Sequence, residues 1–265
     1  MPNRLFHYQR FNPDYTASLL TERKIKLSRP DNFNDPWDCR VHYQMPPDEM
    51  RKKDVIDWIT TAHRKHHPEI SEAKRARLAF ELKSDDARLR QGFEKMERDF
   101  YAVICQRYRV YCLTEKPDCP IMWAHYADSH RGICLEFDST QSPFTSATGI
   151  TKIRYHEEYP AYNLASSMGG YEALFTKSSH WAYEAEWRLI AEERQFAIAP
   201  LTVKTDNDFL ILPPGVLKSI TIGSLASEQT REQIRRIMKT NAPDVLMRQM
   251  EIAPDRYALI ANLAF

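Results

Sequence analysis

The chain has 265 residues, 43% of them hydrophobic and 28% charged, a composition typical of a globular protein with a substantial buried core. Its 37 basic and 36 acidic residues give a formal net charge of +1, so the total charge gives no indication of a polyanionic partner. The chain has only 7 glycines and contains neither G-x-G-x-x-G nor G-x-x-x-x-G-K-[ST], which excludes a glycine-rich phosphate loop.

The cysteines and the apolar segments favour a cytoplasmic protein. The five cysteines have no regular spacing, which is typical of reduced thiols rather than of a disulfide framework or a zinc site. Residues 1–10 lack the apolar run of a signal peptide. No stretch approaches the roughly 18 apolar residues that a membrane span requires, so we expect no membrane partner.

The N-terminal segment combines short strands, a helix and a loop. Residues 4–11 are rich in aromatic side chains and predict an opening strand. A turn at Asn12-Pro13-Asp14 begins a helix that we expect over residues 14–23. Residues 24–27 alternate polar and apolar side chains and predict a second strand. Two prolines and four Asn or Asp residues then predict a structured loop over residues 28–36.

Residues 47–107 differ in character from the rest of the chain. They are rich in Lys, Arg, Glu and Ala, and they contain no glycine before Gly92. Apolar residues recur at helical spacing, as at Val55, Ile56 and Ile59. We expect two or three helices that form an insertion or a lid, with the charged side chains on solvated helix faces.

The remainder of the chain alternates short strands with a few helices. A short helix is expected within residues 120–130, and a loop with a helix over residues 160–178. Residues 228–240 predict an amphipathic helix with Ser227 as its N-cap. The expected strands are residues 108–115, 131–138, 150–156, 184–192, 216–222, 245–252 and 256–262, the last two as edge strands. Because this order lacks βαβ regularity, we predict a single α+β domain over residues 1–265.

The loop SRPDNFNDPWD, at residues 28–38, is the first candidate for a functional segment. Its Asn and Asp side chains could satisfy backbone groups of the loop itself, as in Asx turns before proline. Alternatively, a rigid loop at the end of a strand could present Asn34, Asp35 or Asp38 to a ligand. Two carboxylates without acidic neighbours are a weak indication of a cation site.

The second candidate segment, at residues 122–128, places two aromatic side chains and a histidine within four positions. On a helix, Met122, His125 and Tyr126 share one face. This pattern is consistent with a packed aromatic face, in which the histidine bonds to backbone. It is equally consistent with a pocket wall on which a planar ring stacks.

The third candidate segment contains Glu184, Glu186 and Arg188. On a strand these three side chains alternate with apolar ones and therefore face the same way. They could form a surface ladder of ion pairs. On a central strand they would instead face a cleft, where two carboxylates and an arginine could serve acid–base chemistry or stabilise an oxocarbenium ion.

Together these segments resemble the bacterial domain of unknown function 2971 (DUF2971) family. The resemblance covers residues 4–225 in order and spacing, and His7 stands where the family more often has lysine. The motifs that carry it are LFHY at residues 5–8, SRPDNFNDPWD at 28–38, MWAHYADSHRG at 122–132 and KSSHWAYEAEWR at 177–188.

The layout also resembles ADP-ribosyltransferase-like domains. These domains share a first strand with a His-Tyr pair, a mid-chain aromatic segment and a late strand with Glu-x-Glu. The resemblance implies a split sheet of mixed or antiparallel strands, with NAD in a cleft between two small sheets. It implies that His7 contacts the nicotinamide ribose, that Tyr126 stacks on nicotinamide and that Glu186 stabilises the transition state at the ribose.

We therefore expect an NAD-dependent ADP-ribosyltransferase-like enzyme, of a toxin or phage-defence type, with a protein or nucleic acid as acceptor. Two alternatives stay open. One is a non-enzymatic module that senses a nucleotide in a defence system, and the other is a metal-dependent nuclease in which the acidic side chains of the first and third segments converge. We predict that the catalytic residues are Glu184, Glu186 and Arg188. The residues predicted to bind NAD are His7, Tyr8, Ser28, Asn34, Asp35, Trp123, His125 and Tyr126.

Overall fold

The computed structural model describes residues 1–145, 149–162, 171–196 and 203–263. These residues form two compact units. The first unit comprises the described residues of Met1–Asn34, Arg107–Ile153 and His180–Phe265, and the second those of Asp35–Gln106 and Arg154–Ser179. None of the helices within these ranges has the length and apolarity needed to cross a bilayer.

The strands are short, and four of the helices, α2, α3, α4 and α6, have 13 residues or more. The strands are β1 Arg4–Gln9, β2 Lys24–Lys26, β3 His42–Tyr43, β4 Tyr108–Thr114, β5 Ile133–Asp138, β6 Ile150–Lys152, β7 Arg154–His156, β8 Ala161–Tyr162, β9 Thr176–Ser178, β10 Glu186–Glu193, β11 Lys204–Thr205, β12 Phe209–Ile211, β13 Leu217–Ile222, β14 Leu246–Ile252 and β15 Leu259–Leu263. The α-helices are α1 Pro13–Glu22, α2 Glu49–His66, α3 Glu72–Ser84, α4 Asp86–Arg107, α5 Pro120–Tyr126 and α6 Glu228–Asn241. Short 3₁₀ helices lie at Pro30–Asn32, Tyr171–Phe175, Ser179–Glu184 and Arg194–Phe196.

The first unit is built on one mixed sheet. Its strands follow the order β11-β10-β4-β1-β5-β13-β14-β15, with β6 paired to β10. Most neighbours are antiparallel, whereas β10 with β11 and β13 with β14 are parallel. These findings confirm the α+β class with a mixed, largely antiparallel sheet. The main sheet is continuous through nine of the described strands, and β2 pairs with β12 in a separate two-stranded sheet. The ADP-ribosyltransferase resemblance instead implies two small sheets around a cleft.

Each face of this sheet packs against its own helices. On one face, Leu135 of β5 shares a core with Leu19 of α1 and Ile234 of α6. On the other face, Tyr8 of β1 shares a smaller core with Trp123 of α5. We call the second of these the α5 face. The alternation of side chains along β1 and β5 thus determines which helix each residue meets.

The second unit contains three helices, α2, α3 and α4, where two or three were expected. A side chain caps each of them, since Asp48 accepts from the amide of Arg51 at 2.8 Å, Ser71 from that of Lys74 at 3.4 Å and Asp85 from that of Arg88 at 3.0 Å. Phe93 of α4 is fully buried in the core of this unit. The parallel pairs β3 with β8 and β7 with β9 complete the unit.

Three expectations about strands require correction. The strand expected from residue 184 begins at Glu186, because Ala185 adopts a positive φ of 46° and breaks the extended backbone. The strand expected over residues 150–156 is divided into β6 and β7, which pair with different partners. Of the two C-terminal strands expected at an edge, β15 lies at the edge, whereas β14 lies between β13 and β15.

The segment over residues 160–178 was expected to contain a loop and a helix. Its described part contains β8, the 3₁₀ helix Tyr171–Phe175 and β9. Residues 163–170, where the helix was expected to begin, lie outside the described residues. The amphipathic helix α6 is confirmed, and the hydroxyl oxygen of Ser227 accepts from the amide of Thr230 at 3.1 Å as its N-cap.

Candidate functional site

The register of β1, β4 and β10 brings polar side chains together on the α5 face. Phe6 pairs with Thr114, and Thr114 pairs with Glu186 on its other side. Residues directly opposite each other in neighbouring strands point to the same face, and residues two apart on a strand do so as well. Tyr8 and Arg188 therefore share this face with Glu186.

Glu186 and Arg188 form a buried ion pair along β10. Nε of Arg188 donates to Oε1 of Glu186 at 2.7 Å, and its Nη2 donates to Oε2 at 3.2 Å. Glu186 is 2% exposed and Arg188 is 0% exposed, and the guanidinium carbon lies 5.4 Å from the ring centre of Phe33. Two parallel hydrogen bonds of this kind fix the carboxylate in one orientation.

Glu184 lies in a different environment from Glu186, although only one residue separates them. It ends the 3₁₀ helix Ser179–Glu184 and is 3% exposed. Its Oε1 accepts a hydrogen bond of 2.5 Å from the phenol of Tyr126, and its backbone oxygen accepts one of 2.5 Å from the hydroxyl of Thr114. The two glutamates, expected to share a strand face, are therefore held by different partners.

Helix α5 is anchored to the sheet by Trp123. This residue is fully buried, and its Nε1 donates to the carbonyl of Pro117 at 3.0 Å. Its ring meets the ring of Tyr8 edge-on, with centres 5.2 Å apart. The phenol of Tyr8 donates to the carbonyl of Lys116 at 2.7 Å, and burial raises its pKa. Both side chains thus position the site rather than line its accessible surface.

An accessible group of rings lies beside the buried carboxylate of Glu184. The ring of His125 lies 6.0 Å from that of Tyr126 and 6.2 Å from that of Trp181, and the rings of Trp181 and Tyr183 are 6.1 Å apart. His125 is exposed and the other three are partly exposed. We call these four residues the aromatic rim. Partly exposed aromatic rings can stack on a planar ligand.

The model of one protein family matches this part of the chain. It is described as a protein of unknown function (DUF2971), and the match covers residues 122–189. The match confirms the family resemblance over that segment. The DUF2971 segment runs from α5 to β10 and contains the aromatic rim, both glutamates and Arg188. No curated protein matches the chain, and no solved structure does so.

Two rim residues of the DUF2971 segment, Trp181 and Tyr183, were not among the predicted site residues. The sequence places them immediately before Glu184, in the run HWAYE. The 3₁₀ helix places Trp181 beside His125 of α5 and Tyr183 beside Trp181. Their proximity to Glu184 in the sequence was the available signal, but the predicted strand began only at residue 184.

Outside the DUF2971 segment, His7 lies on the sheet face opposite to Glu186. Its ring stacks on that of Tyr111 with centres 4.0 Å apart, and its Nδ1 lies 2.7 Å from the carbonyl oxygen of Cys112. Burial lowers the pKa of the imidazole to about 4. The structure therefore does not bring His7 to the carboxylate, because neighbouring positions on β1 point to opposite faces.

The loop residues predicted for NAD binding are distributed between the two units. Ser28 and Val110 exchange backbone hydrogen bonds of 2.8 Å in the first unit, where Asn34 is exposed. Asp35 belongs to the second unit and is 6% exposed. Its Oδ1 accepts from the amide of Trp37 at 3.0 Å, which is the local turn that the first interpretation of this loop describes.

The nuclease alternative requires clustered metal ligands. Within the part of the chain that the structure describes, no group of three or more His, Cys, Asp or Glu side chains is arranged to hold a metal ion. Tyr126 and Arg188 occupy hydrogen-bonding positions on Glu184 and Glu186. The geometry gives the nuclease alternative no support.

Proposed function

We propose that this chain is an NAD-dependent ADP-ribosyltransferase-like enzyme whose substrate lies against the aromatic rim. One observation carries the proposal. A buried carboxylate, Glu184, is held by the phenol of Tyr126 directly beside a group of partly exposed rings. A planar nicotinamide could stack on the rings while its ribose meets the carboxylate.

The chemistry follows from the charge that develops on the ribose. When the bond between nicotinamide and ribose breaks, the electron pair leaves with nicotinamide and the ribose becomes an oxocarbenium ion. A fixed carboxylate beside that cation stabilises the positive charge where it forms. A nucleophile of the acceptor then attacks the same carbon and loses its proton, which completes the transfer.

The two glutamates receive different roles in this proposal. Sequence alone favours Glu186 as the catalytic carboxylate, on the basis of its strand position. The bidentate pair with Arg188 instead suits Glu186 to a positioning role beneath the site. We assign the stabilising carboxylate to Glu184, which contacts a partly exposed side chain, and the orientation of that carboxylate to Tyr126.

The proposal is supported by the aromatic rim and the buried carboxylate of Glu184 rather than by sheet topology. His7 has no role in this arrangement, because it faces away from Glu186. The setting that we propose is the bacterial cytoplasm, where consumption of NAD would serve a toxin or a phage-defence protein. The acceptor is a protein or a nucleic acid.

Nicotinamide release tests the proposal. Wild type, Glu184→Gln and Glu186→Gln are incubated with NAD and with candidate protein and nucleic-acid acceptors. Removing a group that stabilises developing charge costs roughly 100-fold or more in rate, which we expect for Glu184→Gln. Glu232→Gln, at an exposed position of α6, is the matched control and should keep full activity. Nicotinamide release by Glu184→Gln at the wild-type rate would show that this carboxylate does not take part in catalysis.

A second candidate, a module that senses a nucleotide without turnover, is favoured by the burial of both carboxylates. Glu184 is 3% exposed and Glu186 is 2% exposed, so a ligand on the rim would reach them through Tyr126. The module predicts saturable NAD binding, weakened by Trp181→Ala, without nicotinamide release by any variant. The same assay therefore separates the two candidates.

A further inference from the structure

The second unit has an open pocket of its own, with a volume of about 320 Å³. It lies at the start of β3 and beside α4. None of its residues belongs to the site proposed above, so it can be tested separately. The residues that matter for its chemistry are Trp37, Arg40, His42, Glu97, Arg98 and Tyr159. We call it the second-unit pocket.

Two large aromatic side chains of the second-unit pocket are exposed. Trp37 is 64% exposed and Tyr159 is 43% exposed. The ring of His42 stacks on that of Tyr159, with centres 6.0 Å apart, and supports its orientation. Exposed rings that flank a pocket are suited to stacking on a planar ligand, because every nucleobase has a π face.

The loop that presents Trp37 is held in place by contacts of the residues on either side of it. The amide of Trp37 donates to Oδ1 of Asp35 at 3.0 Å. One residue further along, the carboxylate of Asp38 lies 4.0 Å from Nζ of Lys177, and the side chains of this pair are 3% and 6% exposed. The Asx turn at Asp35 and the buried ion pair of Asp38 thus hold the backbone on either side of Trp37. Such preorganisation reduces the entropy lost when a ligand binds.

The carboxylates at the second-unit pocket are already engaged by a cation. Glu97 accepts a hydrogen bond of 2.5 Å from Nη2 of Arg90, and Glu94 lies 3.6 Å from Nε of the same arginine. Nδ1 of His42 also lies 3.3 Å from Glu97. These carboxylates therefore repel an anionic ligand less than their number suggests.

Whereas Arg90 is paired with carboxylates, the guanidinium groups of Arg40 and Arg98 can attract an anionic ligand. The guanidinium carbon of Arg40 lies 3.9 Å from the ring centre of Tyr101, and this cation–π contact leaves the arginine charged. Arg98 is exposed and forms no ion pair with any residue in the described ranges. The lining of the pocket contains these two arginines and the carboxylates of Glu94 and Glu97, and both carboxylates are paired with Arg90.

We propose that the second-unit pocket binds a nucleotide, with its base stacked on Trp37 and Tyr159 and its phosphate held by Arg98 and Arg40. The pocket volume of about 320 Å³ is at the lower end of the range for small-ligand sites and suits one nucleotide unit. That unit can be a free mononucleotide or part of a single strand of nucleic acid. The proposal does not depend on NAD turnover.

Fluorescence anisotropy of a labelled single-stranded uridine 10-mer, with UMP and AMP as competitors and without NAD, tests the proposal on the full chain. Loss of a stacking aromatic side chain weakens binding roughly tenfold, which we expect for Trp37→Ala. Arg98→Ala should weaken binding and reduce its dependence on salt. The matched controls are Trp58→Ala, 41% exposed in the same unit, and Lys95→Ala, exposed on the same helix as Arg98.

The results of these measurements either identify the ligand of the second-unit pocket or contradict the proposal that it is a binding site. Displacement of the oligonucleotide by UMP or AMP at similar concentrations identifies a free nucleotide, and displacement only by unlabelled single strand identifies nucleic acid. The proposal is overturned if wild type binds neither the oligonucleotide nor, in calorimetry, UMP or AMP, if binding is unchanged in both Trp37→Ala and Arg98→Ala, or if a duplex binds equally well. Glu184→Gln should bind as wild type does, so failure of the NAD proposal is recognised separately.

Discussion

The phenol of Tyr126 donates a hydrogen bond of 2.5 Å to Oε1 of Glu184 and so joins α5 to the 3₁₀ helix that precedes β10. The carboxylate end of this bond is buried, whereas the tyrosine ring is partly exposed. A hydrogen bond to a charged group contributes about 2 kcal/mol to stability. This contact therefore couples the accessible surface of the site to its buried interior.

Tyr126→Phe removes that donor and keeps the ring. We expect the free energy of unfolding to fall by about 2 kcal/mol, because a buried carboxylate loses a partner. Urea denaturation measures the change. Tyr257→Phe, at an exposed position, is the control and should stay within about 0.5 kcal/mol of wild type. An equal effect of both variants would show that the Tyr126 bond contributes nothing.

The pair of Glu186 and Arg188 predicts non-additive effects on stability. Arg188→Met leaves a buried carboxylate without its bidentate partner, which costs about 3–5 kcal/mol. The double variant Glu186→Gln/Arg188→Met leaves neither charge in the interior. It should therefore lose less stability than the sum of the two single variants.

Denaturation of the two single variants and the double variant gives the interaction energy of this buried pair. The exposed pair of Arg235 and Glu228, with side chains 39% and 62% exposed, provides the matched comparison. Its double-variant cycle should give an interaction energy below about 1 kcal/mol. Additive losses at Glu186 and Arg188 would contradict a coupled pair.

His7 predicts a loss of stability in mild acid. Its pKa is lowered by burial from 6.5 in the unfolded chain to about 4 in the native state. Between these values the unfolded state binds more protons, so the free energy of unfolding falls as the pH is lowered. Since the ring is partly exposed, we expect this residue to account for about 2 kcal/mol between pH 7 and pH 4.

Urea denaturation across this pH range checks the His7 prediction. His7→Gln should flatten the pH dependence between the two pKa values, because it removes the titrating group and keeps a side-chain amide near Cys112. His125→Gln, at an exposed position, should leave the slope unchanged. A slope that persists in His7→Gln would assign the acid sensitivity to other groups.

Two glycines predict opposite effects of the same substitution. A methyl group at Gly132 would overlap the backbone oxygen of Gln9, so Gly132→Ala should destabilise the protein by about 2 kcal/mol or more. At Gly92, in the middle of α4, no atom lies within 4 Å of an added methyl group. Gly92→Ala should stabilise the helix by about 0.5–1 kcal/mol. Thermal unfolding of both variants distinguishes these signs.

Local patterns in the sequence were sufficient to predict most of the helices. Helices α2, α3 and α4 follow from apolar spacing at residues such as Ile56 and Phe93, which are buried in the second unit. The N-cap of α6 at Ser227 follows from the residue type and the acidic first turn. In each case the interactions that determine the helix join residues only a few positions apart, so the spacing of residue types in the sequence reveals them.

The arrangement of the site could not be predicted in the same way. The left-handed conformation of Ala185 separates Glu184 from Glu186, and no residue type at that position indicates it. The position of His7 on the opposite face depends on the pairing of β1 with β4 and β5. Such pairings join residues far apart in sequence, and their register is set by packing of the whole sheet.

The central place of β1 in the sheet has a consequence for biosynthesis. β1 leaves the ribosome before either neighbour exists, since β4 begins at Tyr108 and β5 at Ile133. At translation rates of about 5–20 residues per second, its two edges stay unpaired for several seconds. An exposed strand with apolar side chains is prone to wrong pairing during that interval. Newly made chains should therefore depend on chaperone binding at this first strand.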